Sequence, residues 1–67
     1  MKFQSLVNAF AIDTANNLHA EFGAVCLKKL ESTLAEFFAE YDIEEKVQRR
    51  AMFEACNVHG VLLKAVH

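Results

Sequence analysis

Apolar residues recur at helical intervals along almost the whole chain. From residue 18 to residue 41 they follow steps of three and four, at Leu18, Phe22, Cys26, Leu30, Leu34, Phe37 and Tyr41. This spacing places them on one face of an α-helix. We therefore predict one long amphipathic helix over residues 18–41, with Gly23 as an internal glycine.

The segment before this helix has a similar but shorter pattern. Over residues 5–15 the apolar side is formed by Leu6, Val7 and Phe10, and Asp13 is the only charged residue. Asparagine amides compete for local backbone hydrogen bonds, so Asn16 and Asn17 favour a break. The pattern predicts a short N-terminal helix that ends there. The alternative is a single helix over residues 4–41 that bends at the asparagines.

A third helix is predicted after Tyr41. Asp42 and Glu45 have the spacing of a capping box, which places the start of the helix at residue 43. Opposite charges four residues apart support it, in the pairs Glu45 with Arg49 and Arg50 with Glu54. Gly60 either ends this helix or lies inside a helix that continues to residue 66.

These elements predict an all-α fold in one helical domain over residues 1–67. The short N-terminal helix is followed by an antiparallel hairpin of the two longer helices. Hydrophobic residues make up 54% of the 67 residues, while a chain this short buries only about 60% of its unfolded surface. We therefore expect self-association, most simply a homodimeric helical bundle. The candidate self-association residues are Leu6, Val7, Phe10 and Phe22.

Charge and cysteine content limit the classes of function. Seven basic and nine acidic residues give a net charge of -2, so the chain lacks the basic excess that drives non-specific binding of phosphate backbones. Two cysteines are too few for a disulfide framework and suit a reducing compartment. No apolar run approaches the roughly 18 residues of a spanning helix. We expect a cytoplasmic location, no membrane partner and no cofactor.

Two clusters of side chains are candidate sites. In the predicted hairpin Cys26 lies opposite residue 58, within one turn of Cys56 and His59, which are weak candidates for a metal or redox site. His19 lies two turns from Cys26 and is a poorer candidate. The favoured alternative is that both cysteines are small buried hydrophobic residues.

The second cluster is a basic face on the last helix. It consists of Lys46, Arg49, Arg50, Phe53, Asn57 and Lys64. Such a surface can bind a partner protein, or contact phosphates through its cations and stack a base on Phe53. The alternative is a solvated charged face, with Phe53 buried against the first helix.

No catalytic motif is present, and we expect that the protein is not an enzyme. The leading hypothesis is a small self-associating interaction module that binds another protein as a regulator, adaptor or inhibitor. The alternatives are a nucleic-acid-binding helical dimer that uses the basic face, and a metal or redox module at the two cysteines.

Overall fold

The computed structural model describes residues 3–60, which form three α-helices. Helix α1 spans Phe3–Phe22, α2 spans Leu27–Glu40 and α3 spans Glu45–Val58. Residues 3–60 contain no strand, so the prediction of an all-α fold is confirmed. None of these helices combines the length and the apolar composition needed to cross a bilayer.

The boundary between the first two helices differs from the prediction. Asn16 and Asn17 lie inside α1, which is the longest helix at 20 residues, and the chain breaks at residues 23–26 instead. Gly23 has a φ of 78°, and its N–H donates to the carbonyl of His19 at 2.8 Å. Glycine adopts this left-handed conformation without steric cost, so Gly23 ends α1 rather than lying inside a helix.

The predicted break at the asparagines and the continuous helix over residues 18–41 are therefore wrong. Both asparagines are exposed, while Ala15 and Leu18 on either side of them are buried. The asparagines thus lie outside the buried stripe of α1. The packing of that stripe outweighs their weak preference for turns.

The connection between α2 and α3 also differs from the predicted capping box. Asp42 has a φ of 52°, and its N–H donates to the carbonyl of Ala39 at 3.2 Å. The next N–H, of Ile43, donates to the carbonyl of Phe38 at 2.9 Å, and both side chains belong to the core. Asp42 therefore ends α2 in a Schellman motif. The N-cap of α3 is Glu44, without a capping hydrogen bond from its side chain.

The end of α3 agrees with one of the two predicted alternatives. The helix ends at Val58, and Gly60 follows with a φ of 68° and an N–H bonded to the carbonyl of Asn57. Gly60 therefore lies beyond the helix rather than within it. The predicted continuation over residues 61–66 lies outside the described residues.

Helices α1 and α3 form the largest contact and run parallel. Near their starts the Gln4 amide donates to the carbonyl of Val47 at 3.1 Å, and near their ends Asn16 bonds to His59 at 2.7 Å. The interface is lined with fully buried alanines, Ala11, Ala15, Ala51 and Ala55. Small side chains at a helix contact allow the two axes to approach closely.

Helix α2 packs antiparallel to α1. Phe10 stacks on Phe37 at the far end of the pair, while Phe22 lies near Lys29 beside the connection. The core residues of α2 are Leu30, Leu34 and Phe38. Helix α2 has its smallest contact with α3. The predicted hairpin of α2 and α3 is therefore not confirmed, because α3 packs mainly on α1.

Candidate functional site

The weak contact between α2 and α3 leaves an open groove between them. Its volume is about 880 Å³, within the range of typical binding pockets. The lining residues, here called the α2/α3 groove, are Leu27, Glu31, Ala35, Phe38, Ala39, Glu45, Gln48, Arg49, Met52 and Phe53. Six of them are apolar, so the groove offers a largely hydrophobic surface with polar edges.

The two helices contribute different side chains to this groove. Helix α2 presents the small exposed residues Ala35 and Ala39, which leave its backbone approachable. Helix α3 presents Met52 and Phe53, and the Phe53 side chain is 49% exposed. An exposed aromatic residue opposite small residues is a typical anchor for a protein partner.

The predicted basic face is present on α3, but acidic residues neutralise much of it. Arg49 pairs with Glu45 at 2.8 Å, and Arg50 pairs with Glu54 at 3.0 Å. Arg50 also lies over the Phe53 ring, with its guanidinium carbon 5.7 Å from the ring centroid. The two predicted ion pairs are confirmed, and the face carries mixed charge.

The remaining residues of that face are exposed or undescribed. Lys46 and Asn57 are exposed, and Lys64 lies outside the described residues. Phe53 is not buried against the first helix, contrary to the alternative for this face. Two of the predicted partner-binding residues, Arg49 and Phe53, line the α2/α3 groove. The groove itself was not predicted, since it results from the small contact between α2 and α3.

The predicted metal or redox cluster is not assembled. Within residues 3–60 no group of three His, Cys, Asp or Glu side chains is placed to hold a metal ion. Cys26 is exposed ahead of α2, whereas Cys56 is buried in the core, and both thiols are free. The prediction depended on an α2–α3 hairpin that would bring Cys26 beside Cys56 and His59, and α3 packs mainly on α1 instead.

The two thiols have opposite chemical environments. The backbone N–H groups of Lys29 and Lys28 face the Cys26 sulfur and lower its pKa, with a smaller contribution from the Lys28 charge. The Cys26 side chain forms no cap hydrogen bond at the start of α2. Burial raises the pKa of the Cys56 thiol, and the charge of Glu31 raises it further. We therefore expect Cys26 to be the more reactive nucleophile.

A pair of histidines joins the ends of α1 and α3. The rings of His19 and His59 stack with centroids 4.7 Å apart and planes 17° from parallel. His59 Nε2 also lies 2.7 Å from Asn16 Oδ1. The sequence pattern did not predict this pair. A parallel register between α1 and α3, offset by about 40 residues, is the signal that would have found it.

The predicted self-association residues fall into three different environments. Leu6 and Phe10 are exposed on α1, whereas Val7 is only 2% exposed in the core. Val7 therefore cannot belong to a surface of this chain. Phe22 is exposed at the other end of α1, beside a small pocket of about 280 Å³ formed with Leu18, Ala24, Cys26 and Lys29. The homodimer itself stays a prediction.

The excess of apolar surface expected from the composition is present in residues 3–60. The exposed large hydrophobic residues are Phe3, Leu6, Phe10, Phe22, Tyr41, Phe53 and Val58. Comparison of the chain with protein-family models, with curated proteins and with solved structures finds no match in any of the three. A function is therefore proposed from the surfaces of the described residues.

Proposed function

We propose that this chain is a small helical protein-interaction module whose α2/α3 groove binds a helical segment of another protein. The observation that carries the proposal is the groove of about 880 Å³ between α2 and α3, the two helices with the smallest backbone contact. An amphipathic helix placed in a hydrophobic groove is a recurring mode of recognition. A bound helix would act as a fourth helix and cover the apolar groove residues.

The chemistry of the groove supports a protein ligand. Ala35 and Ala39 allow a helix to approach α2 closely, and Phe53 supplies exposed aromatic area on α3. Phe53 is held under the Arg50 guanidinium, which limits the conformations that binding must order. The exposed Glu31 and the Glu45–Arg49 pair form the polar part of the groove.

The mixed charge of α3 favours a protein partner over a nucleic acid. Both arginines of the basic face already have a carboxylate partner on the same helix. A phosphate backbone would have to compete with Glu45 and Glu54 for the two arginines, and the two carboxylates would repel the phosphates. This is why binding of another protein is proposed ahead of the nucleic-acid alternative.

The proposal is tested with a displayed library of amphipathic helical peptides. Peptides are selected on the full chain, and their affinities are compared for wild type, Phe53→Ser and the matched control Leu6→Ser. Both substitutions remove an exposed apolar side chain, but only Phe53 lines the groove. We expect Phe53→Ser to weaken binding by about tenfold or more, and Leu6→Ser to leave it unchanged.

The location of the peptide is measured independently by amide chemical-shift changes. Binding in the groove is expected to shift the resonances of Ala35, Ala39 and Met52, which lie on both of its sides. Selected peptides that bind Phe53→Ser as tightly as wild type, and that leave these resonances in place, would refute the proposal.

A further inference from the structure

A second apolar surface lies on the side of the molecule formed by α1 and α2. It consists of Phe3, Leu6, Phe10, Phe37 and Tyr41, here called the aromatic surface. The Phe10 and Phe37 rings stack with centroids 3.9 Å apart, and Phe37 meets Tyr41 at 5.1 Å. The surface therefore continues from α1 to α2. Phe3, Leu6 and Tyr41 are each more than half exposed.

The charged residues of the two helices around this surface have one sign. Asp13 follows Phe10 by one turn on α1, and Glu36 and Glu40 flank Phe37 on α2. All three carboxylates are exposed. Helix α1 contains no lysine or arginine, and α2 contains none after Lys29. The charged residues that α1 and α2 place next to the aromatic surface are therefore acidic, and Asp13, Glu36 and Glu40 are here called its acidic border.

The end of α2 adds to this negative potential. Its last turn has no basic residue and ends at Glu40, one residue before Tyr41. The aligned peptide dipoles of a helix place partial negative charge at its C-terminus, and this charge favours cations. The end of α2 therefore places partial negative charge at the edge of the aromatic surface. No basic side chain in the last turn of α2 neutralises it.

We propose that the aromatic surface binds a basic amphipathic helix of a partner protein. The partner's apolar residues would cover the aromatic surface, and its lysines or arginines would lie against Asp13, Glu36 and Glu40. Phe3, Leu6 and Phe10 extend over two turns of α1, about 10 Å. A partner helix with apolar residues at matching steps of three and four positions fits this length.

The acidic border also distinguishes this partner from a second copy of the chain. A two-fold symmetric dimer brings the same patch of both chains together. Pairing through the aromatic surface would bring two acidic borders together, and like charges across an interface are unfavourable. A basic helix meets the same border with favourable charge. This second surface is independent of the α2/α3 groove, and a chain that uses both would join two partners.

The test uses two synthetic helical peptides of about 18 residues, long enough for five turns. They share the same leucine positions, but one carries lysine and the other glutamate at the remaining sites. Binding to the full chain is measured by fluorescence anisotropy at low salt. We expect the leucine–lysine peptide to bind and the leucine–glutamate peptide to bind at least about tenfold more weakly.

Variants of the chain locate the bound peptide. Replacing the three carboxylates, with Asp13→Asn, Glu36→Gln and Glu40→Gln, is expected to weaken the leucine–lysine complex by about tenfold. Leu6→Ser and, separately, Tyr41→Ser are expected to weaken it to a similar degree. Both side chains are exposed, and circular dichroism checks that the variants fold. Val58→Ser, which removes an exposed apolar side chain outside both surfaces, is expected to leave it unchanged.

Three results would overturn this proposal. The first is equal affinity for the two peptides. The second is loss of binding in Phe53→Ser but not in Leu6→Ser, which would place the peptide in the α2/α3 groove and leave the function proposed above intact. The third is a homodimer in sedimentation equilibrium that Leu6→Ser dissociates, which would show that a second copy covers the aromatic surface.

Discussion

Helix α3 has two neighbours and packs on them in opposite ways. Against α1 it forms a close parallel contact through Ala51 and Ala55, with no exposed alanine surface. Against α2 it makes so little contact that a groove of about 880 Å³ remains open. The α1–α3 contact is thus closely packed, whereas the α2/α3 groove leaves apolar side chains exposed to solvent.

The difference between the α1–α3 and α2–α3 contacts originates in the size of the side chains that each helix buries. Fully buried alanines on both helices let α1 and α3 approach closely. Helix α2 instead inserts the large residues Leu30, Leu34 and Phe38, and these fill the core without bringing α2 near α3. Small residues therefore close one side of α3, and the large residues of α2 leave the other side open.

The largest expected effect comes from removing the central core residue of α2. Leu34 is fully buried, so Leu34→Ala is expected to cost about 2–5 kcal/mol of unfolding free energy. That is comparable to the whole stability of a core of this size, about 3–5 kcal/mol. Thermal unfolding followed by circular dichroism measures the loss. A melting temperature close to that of wild type would show that α2 is not anchored through Leu34.

The second prediction compares the same substitution on the two sides of α3. Ala55→Leu adds volume to the close α1–α3 contact, and we expect it to destabilise the fold by about 1–3 kcal/mol. Ala35→Leu adds the same volume in the open groove, where we expect a change within about 0.5 kcal/mol. Urea unfolding of both variants makes the comparison. Equal losses would mean that the groove is as closely packed as the α1–α3 contact.

The alanines also explain which part of the fold could be predicted from the sequence. Leu30 and Leu34 follow helical steps of large apolar residues, and both are buried as that pattern predicts. Ala11 and Ala15 contribute little to such a pattern, yet both are fully buried on α1, the helix that makes the largest contact with α3. The choice of α1 over α2 as the main neighbour therefore could not be read from hydrophobic periodicity.

The candidate site could be predicted only where it depends on residues close together in sequence. The ion pairs of Arg49 and Arg50 follow from their spacing along one helix, and they were predicted correctly. The break at Gly23 and the left-handed Asp42 depend on single residues whose conformation the spacing does not reveal. The α2/α3 groove and the His19–His59 pair depend on contacts between helices distant in sequence.

A smaller effect is expected from the histidines that join the ends of α1 and α3. His59→Ala removes both the stack on His19 and the contact with Asn16, and we expect a loss of about 0.5–1.5 kcal/mol. His19→Ala removes only the stack. A double-mutant cycle of the two isolates their interaction. Strictly additive losses would show that the rings do not interact.

The smallest effect on stability is expected from modifying the exposed thiol. Cys26 lies outside the core, so its alkylation with iodoacetamide is expected to leave the unfolding free energy nearly unchanged. Its lowered pKa increases the thiolate fraction at a given pH, so its rate rises at lower pH than that of an ordinary cysteine. Burial and a raised pKa make Cys56 slow over the same pH range. Peptide mapping by mass spectrometry follows both rates.

The same reaction then reports on the core. In the folded chain we expect Cys26 to be labelled first at every pH between neutral and mildly alkaline, with Cys26→Ser as the control that removes the fast phase. Leu34→Ala is expected to raise the rate at Cys56, because opening the core exposes that thiol. Equal rates at the two cysteines of the wild-type chain would mean that Cys56 is not protected by the packing of α3.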